Sequence, residues 1–348
     1  MTKVAFAIPG DIDLPTGGYA YDRRVLTLLP SLGIEARHLV LPGSYPQPTA
    51  ADLAETGRLL GAAPSDSVLL IDGLAYGAMP ADLVRGIDRR IVALVHHPLC
   101  LEAGLSGQRQ DELRALETAA LALAQHVIVT SQATAKTLVT DFAVSGAKIT
   151  VAEPGTDAAP RATGTHRPLQ LLGVGSIVPR KAFDSLVRAL KVHADLDWRL
   201  KIVGSVDRSA EALDALKAAI AESGLQGRIT LTGPANRERL DAHYAAADVF
   251  VMPSLYEGYG MVLAEAMARG LPIVCTTGGA AADTAPNAAA LKVPPGDVAA
   301  LSAAIGQLLR DATLRASMGD ASWSAGRSLP RWEQTARTIA DVVRRVAA

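Results

Sequence analysis

The chain has 348 residues, of which 49% are hydrophobic and 20% charged, with a formal net charge of −1. That apolar share excludes a disordered chain, and the length supports two domains with a core each. Near-neutral charge and 4% aromatic residues leave no electrostatic or stacking basis for a nucleic-acid partner.

From the N-terminus, Met1–Ile8 is a short apolar run closed by Pro9-Gly10. It is too short for a signal peptide and reads as a first strand. Further strands are expected at Glu35–Leu39, Ser67–Ile71, Arg90–Val95, His126–Thr130 and Ile149–Ala152. Helices are expected at Tyr21–Leu32, Ala50–Leu60, Gln108–Ala124 and Ala133–Phe142. Small and polar residues from Pro154 to His166 then break the pattern and read as a linker.

The alternation restarts with strands at Leu169–Val174, Arg199–Val203, Ile229–Thr232, Val249–Met252, Ile273–Cys275 and Ala290–Val293. The intervening helices are Phe183–Val192, Glu211–Glu222, Asn236–Ala245, Val262–Ala268 and Val298–Arg310. The expected class is α/β, with two Rossmann-like domains whose parallel sheets face across a cleft. The domains are placed at 1–160 and 161–326, followed by an amphipathic helix over 327–348 with Trp332 buried. The two cysteines, Cys100 and Cys275, form no metal-ligand cluster and read as small buried residues of a reducing compartment. No stretch approaches 18 uninterrupted apolar residues, so no transmembrane segment is expected and the location is expected to be cytoplasmic.

The richest segment is Pro253–Val274, where Glu257 and Glu265 stand eight apart around Gly258-Tyr259-Gly260. The turn follows a strand and runs into the helix beginning near Met261. Glycines let amide groups converge at a helix N-terminus, which favours anions, while the carboxylates accept hydrogen bonds from hydroxyls. A sugar joined to a phosphate suits that combination. A tight turn with two solvated glutamates is the bland alternative, and the surrounding residues weigh against it. Over about twenty consecutive positions the segment resembles the donor-site signature of retaining GT-B glycosyltransferases of the GT4 family, the glycosyl transferases group 1.

Gly173–Lys181 also lies between a strand and a helix. Val178 stands where a dinucleotide fingerprint needs its third glycine, which argues against hydride transfer. Arg180 and Lys181 put two cations at a helix start, an unfavourable place unless an anion sits there. The resemblance implies that they hold the donor diphosphate, with amides of Gly260, Met261 and Val262, and that Glu265 accepts the ribose hydroxyls. Glu257 then orients the sugar, beside Gly258 and Tyr259. Gly204, Gly233 and Pro234, at the ends of the next two strands, are expected to line the base.

In the first domain the resemblance carries Gly17 and Gly18 onto a glycine loop facing donor and acceptor, and His96 onto a contact with the transferred sugar. His97 stands where the family usually has an acid, so its role is open. Glu102 and Arg109 follow in the next loop and helix. Asp11-Ile12-Asp13 lacks a third ligand in sequence and is rejected as a metal site.

The expected function is transfer of a sugar from a nucleoside diphosphate-sugar to an acceptor hydroxyl with retention of configuration, catalysed by His96, Arg180, Lys181 and Glu257, with no metal and no cofactor. The alternatives are another GT-B enzyme, such as a sugar-nucleotide epimerase or a phosphorylase, or a non-catalytic nucleotide-sugar-binding protein. Sugar, base, acceptor and oligomeric state are not encoded in these motifs. The first 155 residues carry 12 Lys/Arg against 16 Asp/Glu, which offers an anionic membrane no basic surface, and peripheral membrane association has no support.

Overall fold

The computed structural model describes residues 2–165 and 167–348. Met1, the start of the first expected run, and His166, the end of the expected linker, lie outside the described residues. The chain separates into two compact units, Met1–Gly155 with Pro330–Ala348, and Thr156–Leu329.

The first unit runs β1 (Thr2–Pro9), α1 (Gly17–Leu28), β2 (Ile34–Leu41), α2 (Ala50–Ala62), β3 (Ser67–Asp72), α3 (Gly73–Tyr76), α4 (Ala81–Arg85), β4 (Arg90–Val95), α5 (Gly107–Leu123), β5 (His126–Val129), α6 (Gln132–Asp141) and β6 (Ile149–Val151). Its parallel strands lie in the order β2-β1-β3-β4-β5-β6. All six residues of β3 are buried, as a central parallel strand with helices on both faces requires. The sheet reverses direction between β1 and β3, and in such a sheet ligands bind outside the carboxyl ends of the strands at that reversal.

The second unit runs β7 (Leu169–Val174), α7 (Phe183–Leu190), β8 (Trp198–Val203), α8 (Ala210–Ser223), β9 (Ile229–Leu231), α9 (Arg237–Ala245), β10 (Val249–Met252), α10 (Met261–Met267), β11 (Ile273–Thr276), α11 (Ala281–Thr284), β12 (Ala290–Val293), α12 (Val298–Arg310) and α13 (Ala312–Ser328). Its sheet order is β12-β11-β10-β7-β8-β9, again parallel. This is the dinucleotide-fold order, with its switch point between β7 and β10. Trp198, Leu200 and Ile202 of β8 pack with Phe183 and Leu186 of α7 in the core on one side. Phe250, Leu263 and Met267 build the core on the other.

The last helix, α14 (Trp332–Ala347), belongs to the first unit and packs on α1. Trp332 is buried, edge-on to Tyr21 at 5.7 Å between ring centroids, with the Arg24 guanidinium 5.5 Å from its ring.

Some expectations need correction. The helix expected over Tyr21–Leu32 begins at Gly17 and gives way to a 3₁₀ turn at Leu29–Leu32. Thr16 caps its start by accepting from the Tyr19 amide, and Pro30 cannot supply the amide that would continue it. The segment read as a linker is pinned to the second unit. The Ala162 amide donates to Arg269 O at 2.9 Å, the Thr163 amide to Ala245 O at 3.0 Å, and Arg161 pairs with Asp320. Its backbone satisfies carbonyls left open at the ends of α9 and α10. Helix α13 was not expected at all. Its contact with α10 uses small residues, and a Cβ on Gly326 would lie 2.3 Å from the Met267 carbonyl oxygen. No large apolar stripe therefore marks it. Among the described residues no helix is long and apolar enough to cross a membrane.

Candidate active site

In the second unit the side chains expected in the site converge at the switch point. After β7 the chain turns through Gly175 and a 3₁₀ turn, Pro179–Lys181, before α7. After β10 it turns through Glu257 to Gly260, which caps α10 at φ +90°. A side chain at that φ would be strained, so glycine is required there. The Leu255 amide donates to Arg180 O at 2.8 Å and Arg180 Nη1 donates to Tyr256 O at 2.7 Å, locking the two loops together.

Glu257 sits between the cations. Lys181 Nζ lies 2.6 Å from its Oε1 and Arg180 Nη1 lies 3.3 Å from its Oε2. The Glu257 side chain is 8% exposed, and those of Lys181 and Arg180 are 13% and 15% exposed. Burial pushes the Glu257 carboxyl upward, but Lys181 and Arg180 outweigh it and bring it down to about 2. Behind it, the Glu257 amide donates to Gly278 O at 3.2 Å and the Ala280 amide to Glu257 O at 2.8 Å. Gly278-Gly279 is thus a backbone prop for Glu257. At the start of α10 the Leu263 amide donates to Gly260 O at 2.8 Å, while a helix leaves its first two amides without an acceptor of its own.

Glu265 lies one turn into α10 and accepts from Tyr244 Oη at 2.8 Å. Arg269 Nη1 donates to Glu265 O at 2.9 Å, its guanidinium stands 4.5 Å from the Tyr244 ring centroid, and it pairs with Asp241. Burial raises the Glu265 carboxyl, partly offset by the Tyr244 hydroxyl and Arg269. Tyr244, Asp241 and Arg269 were not singled out in the sequence. Asp241 and Tyr244 share a face of α9 and Arg269 follows α10, and only the fold turns that face towards α10.

The ends of β7, β8 and β9 are tied in a row. The Gly175 amide donates to Val203 O at 2.8 Å and the Gly204 amide to Gly233 O at 3.0 Å. A Cβ on Gly204 would lie 2.0 Å from the Gly175 carbonyl oxygen, so no side chain fits there. Beside them a cavity of about 360 Å³ is lined by Thr232, Pro234, Ala235, Arg239, Ala242 and His243. Arg239 and His243 are additions to the expected set.

In the first unit, Gly17 and Gly18 open α1 and His96 follows β4. A Cβ on Gly18 would stand 3.3 Å from His96 Cδ2. His96 Nε2 lies 3.2 Å from Asp22 Oδ1 and 3.3 Å from Asp72 Oδ2. His97 is paired with Glu102 instead, at 3.3 Å. Arg109 donates to Pro46 O at 3.0 Å and pairs with Glu112. Asp11 folds back to cap the Asp13 amide at 2.9 Å. Among the described residues the one group with three candidate metal ligands is Asp22, Asp72 and His96. Neither acid was expected in the site. Asp22 falls on the buried face of α1 with Val25, where an acid is out of pattern, and Asp72 ends β3.

Residues 168–311 match the family model described as glycosyl transferases group 1. The MMP alpha-(1->4)-mannosyltransferase of Mycolicibacterium hassiacum is 26% identical over 91% of this chain and 81% of its own length. A D-inositol 3-phosphate glycosyltransferase of Nocardia farcinica is 35% identical over 57% of this chain and 46% of its own length. A GDP-mannose-dependent alpha-(1-6)-phosphatidylinositol monomannoside mannosyltransferase of Mycobacterium tuberculosis is 33% identical over 48% of this chain. The chain spans about half the length of these last two relatives, 46% and 45%. In fold it is similar to sucrose-phosphate synthase from Thermosynechococcus elongatus, with TM-score 0.85 at 22% identity over 99% of both chains. It is also similar to Anabaena Alr3699/HepE in complex with UDP-glucose, with TM-score 0.78 at 17% identity over 99% of this chain and 100% of that one. Two parallel α/β sheets and GT-B neighbours agree on the fold, and within the second unit residues 168–311 are similar to the group 1 glycosyl transferases.

Proposed function

We propose that the chain moves a sugar from a nucleoside diphosphate-sugar to an acceptor hydroxyl, with retention and without a divalent ion. The observation that carries this reading is Glu257 held between Lys181 and Arg180 at the switch point. A carboxylate there stands where a more highly charged diphosphate would bind. When the diphosphate takes the two cations, Glu257 is released to accept hydrogen bonds from sugar hydroxyls. Glu265 accepts the ribose hydroxyls, and the cavity beside Gly233 and Pro234 takes the base. His96 contacts the transferred sugar.

In the reaction the acceptor oxygen forms the new bond to the anomeric carbon while the bond from that carbon to the diphosphate oxygen breaks. The leaving oxygen takes the acceptor proton on the same face, so configuration is kept. The chain supplies positioning and cationic stabilisation of the leaving group. Because Arg180, Lys181 and the α10 amides meet the diphosphate charge, a divalent ion has no necessary place.

The names of the relatives make GDP-mannose and UDP-glucose the first donors to test. Ligand-dependent stabilisation selects the nucleotide, and NMR of the product formed with EDTA present gives the anomeric configuration. Retained configuration and an unchanged rate in EDTA are expected. Inversion, or loss of turnover restored by magnesium, refutes the mechanism. Tight donor binding with no turnover against any acceptor points to a non-catalytic binder.

A further inference from the structure

Helix α5 of the first unit buries Leu113, Glu117, Ala120 and Leu121, and one of these core positions holds an acid. Glu117 is 0% exposed. Its Oε2 accepts from the Leu99 amide at 2.9 Å, while its Oε1 is buried without a hydrogen-bond partner among the described residues. A half-satisfied carboxyl in a core costs stability that an apolar side chain would not. Packing gives no reason for an acid at this position; the Leu99 amide does.

Leu99 opens the 3₁₀ turn Leu99–Leu101, directly after Pro98 and shortly after His96 and His97 leave β4. Pro98 has no amide, so the chain loses one backbone donor by which this turn could be tied down. Side chains from other elements hold it. The Thr130 hydroxyl donates to His96 O at 3.1 Å, and Glu117 takes the Leu99 amide. Beside Glu117 stands Gly77, where a Cβ would lie 3.0 Å from Oε1 and 3.0 Å from Leu99 Cδ1. The adjacent Tyr76 donates its hydroxyl to Ala120 O at 2.7 Å, locking α3 onto α5. Glu117 therefore occupies a socket with fixed walls, and glycine at position 77 leaves room for its second oxygen.

We propose that Glu117 is a positioning residue: by taking the Leu99 amide it fixes the turn that carries His96 and His97, and with it the place where His96 meets the transferred sugar. The meeting with the sugar rests on the reading above, whereas the hold on the turn does not. Fully buried, Glu117 acts on transfer through the turn alone. Burial raises its carboxyl to about 8, against the Leu99 amide and the Arg114 charge. What the turn requires is an acceptor oxygen at this point, which Gln also supplies and Leu does not.

The test compares the full-length wild type with Glu117→Leu and Glu117→Gln. Hydrogen exchange read by mass spectrometry over residues 96–106 reports the turn, and steady-state transfer from GDP-mannose or UDP-glucose reports the reaction. In Glu117→Leu, exchange at the turn should rise about tenfold, because the Leu99 amide loses its acceptor. Its kcat should fall about tenfold with donor KM changed less than about twofold, since the diphosphate and ribose contacts lie in the second unit. Glu117→Gln should stay within about twofold of wild type in both exchange and kcat. If Glu117→Leu does not fold, Gly77→Ala takes its place. The backbone there is right-handed, at φ −68°, so the added methyl acts by pressing on the acid and Leu99. It should move exchange and kcat the same way, by about threefold. Wild-type exchange or wild-type kcat in Glu117→Leu overturns the proposal. So does a Gln variant as impaired as the Leu variant, because charge and not an acceptor oxygen would then be the requirement. Absence of transfer by the wild type refutes the reading above, and the exchange comparison, which needs no turnover, still decides whether Glu117 holds the turn.

Discussion

Replacing Glu257 by Gln removes a charge that two partly buried cations share, leaving shape and hydrogen-bonding capacity almost intact. Glu257 is held at about 2 instead of its ordinary 4.5. That difference corresponds to about 3 kcal/mol of favourable interaction by the ionised form at neutral pH, at about 1.36 kcal/mol per pH unit. Gln mimics the neutral acid, so the variant should lose roughly that amount, within the range of about 3–5 kcal/mol for breaking a buried pair. A depressed carboxylate contributes above its unfolded value and loses that contribution as pH falls through its folded value. The wild-type advantage should therefore be full at pH 7 and shrink to about 1 kcal/mol by pH 3.

Urea titration followed by tryptophan fluorescence measures this difference. In a Trp332→Phe background the remaining tryptophans, Trp198 and Trp323, both lie in the second unit and report its unfolding. With a denaturant slope of about 2 kcal/mol/M, the midpoint at pH 7 should drop by about 1.5 M. A loss below about 1 kcal/mol at pH 7, or a difference that does not change with pH, refutes the reasoning. The same variant distinguishes roles at the site. It should bind a bare nucleoside diphosphate at least as well as wild type, because both cations are freed, while losing sugar transfer.

Lys181→Ala should lower turnover by at least tenfold with a smaller change in KM, measured by steady-state transfer; an unchanged kcat removes Lys181 from leaving-group stabilisation. Tyr244→Phe deletes the hydroxyl that fixes Glu265 and should weaken nucleotide binding several-fold by calorimetry, for a loss of about 1 kcal/mol; unaltered affinity shows that Glu265 holds its place without help. Gly204→Ala puts a methyl 2.0 Å from the Gly175 carbonyl oxygen and should destabilise the second unit severely, whereas Gly227, with nothing within 4 Å of an added Cβ, should accept Ala within about 0.5 kcal/mol in the same urea assay.

Periodicity along the chain was enough to locate all twelve strands of the described residues and most of their helices, because parallel strands buried on both faces stand out as short apolar runs. Glu257, Glu265, Arg180 and Lys181 were legible for a related reason. Arg180, Lys181 and Glu257 lie in turns after a strand and Glu265 in the first turns of the helix that follows, and such turns collect at the carboxyl edge of a parallel sheet. Sheet order was not legible, since crossover helices of similar length allow several orders. It is the placement of β7 beside β10 that brings Lys181 within 2.6 Å of Glu257, 76 positions away. Helix α13 escaped notice because close approach to α10 demands small residues, which leave no apolar stripe. Asp22 and Asp72 escaped for a deeper reason. An acid in a helix and an acid ending a strand look solvated until the β1–β3 reversal buries both against His96. Local pattern thus determines which segments are strands, helices and strand-end turns, through burial and backbone conformation. Which charges meet, and so which of them change their proton affinity, is decided only when the sheet sets its order.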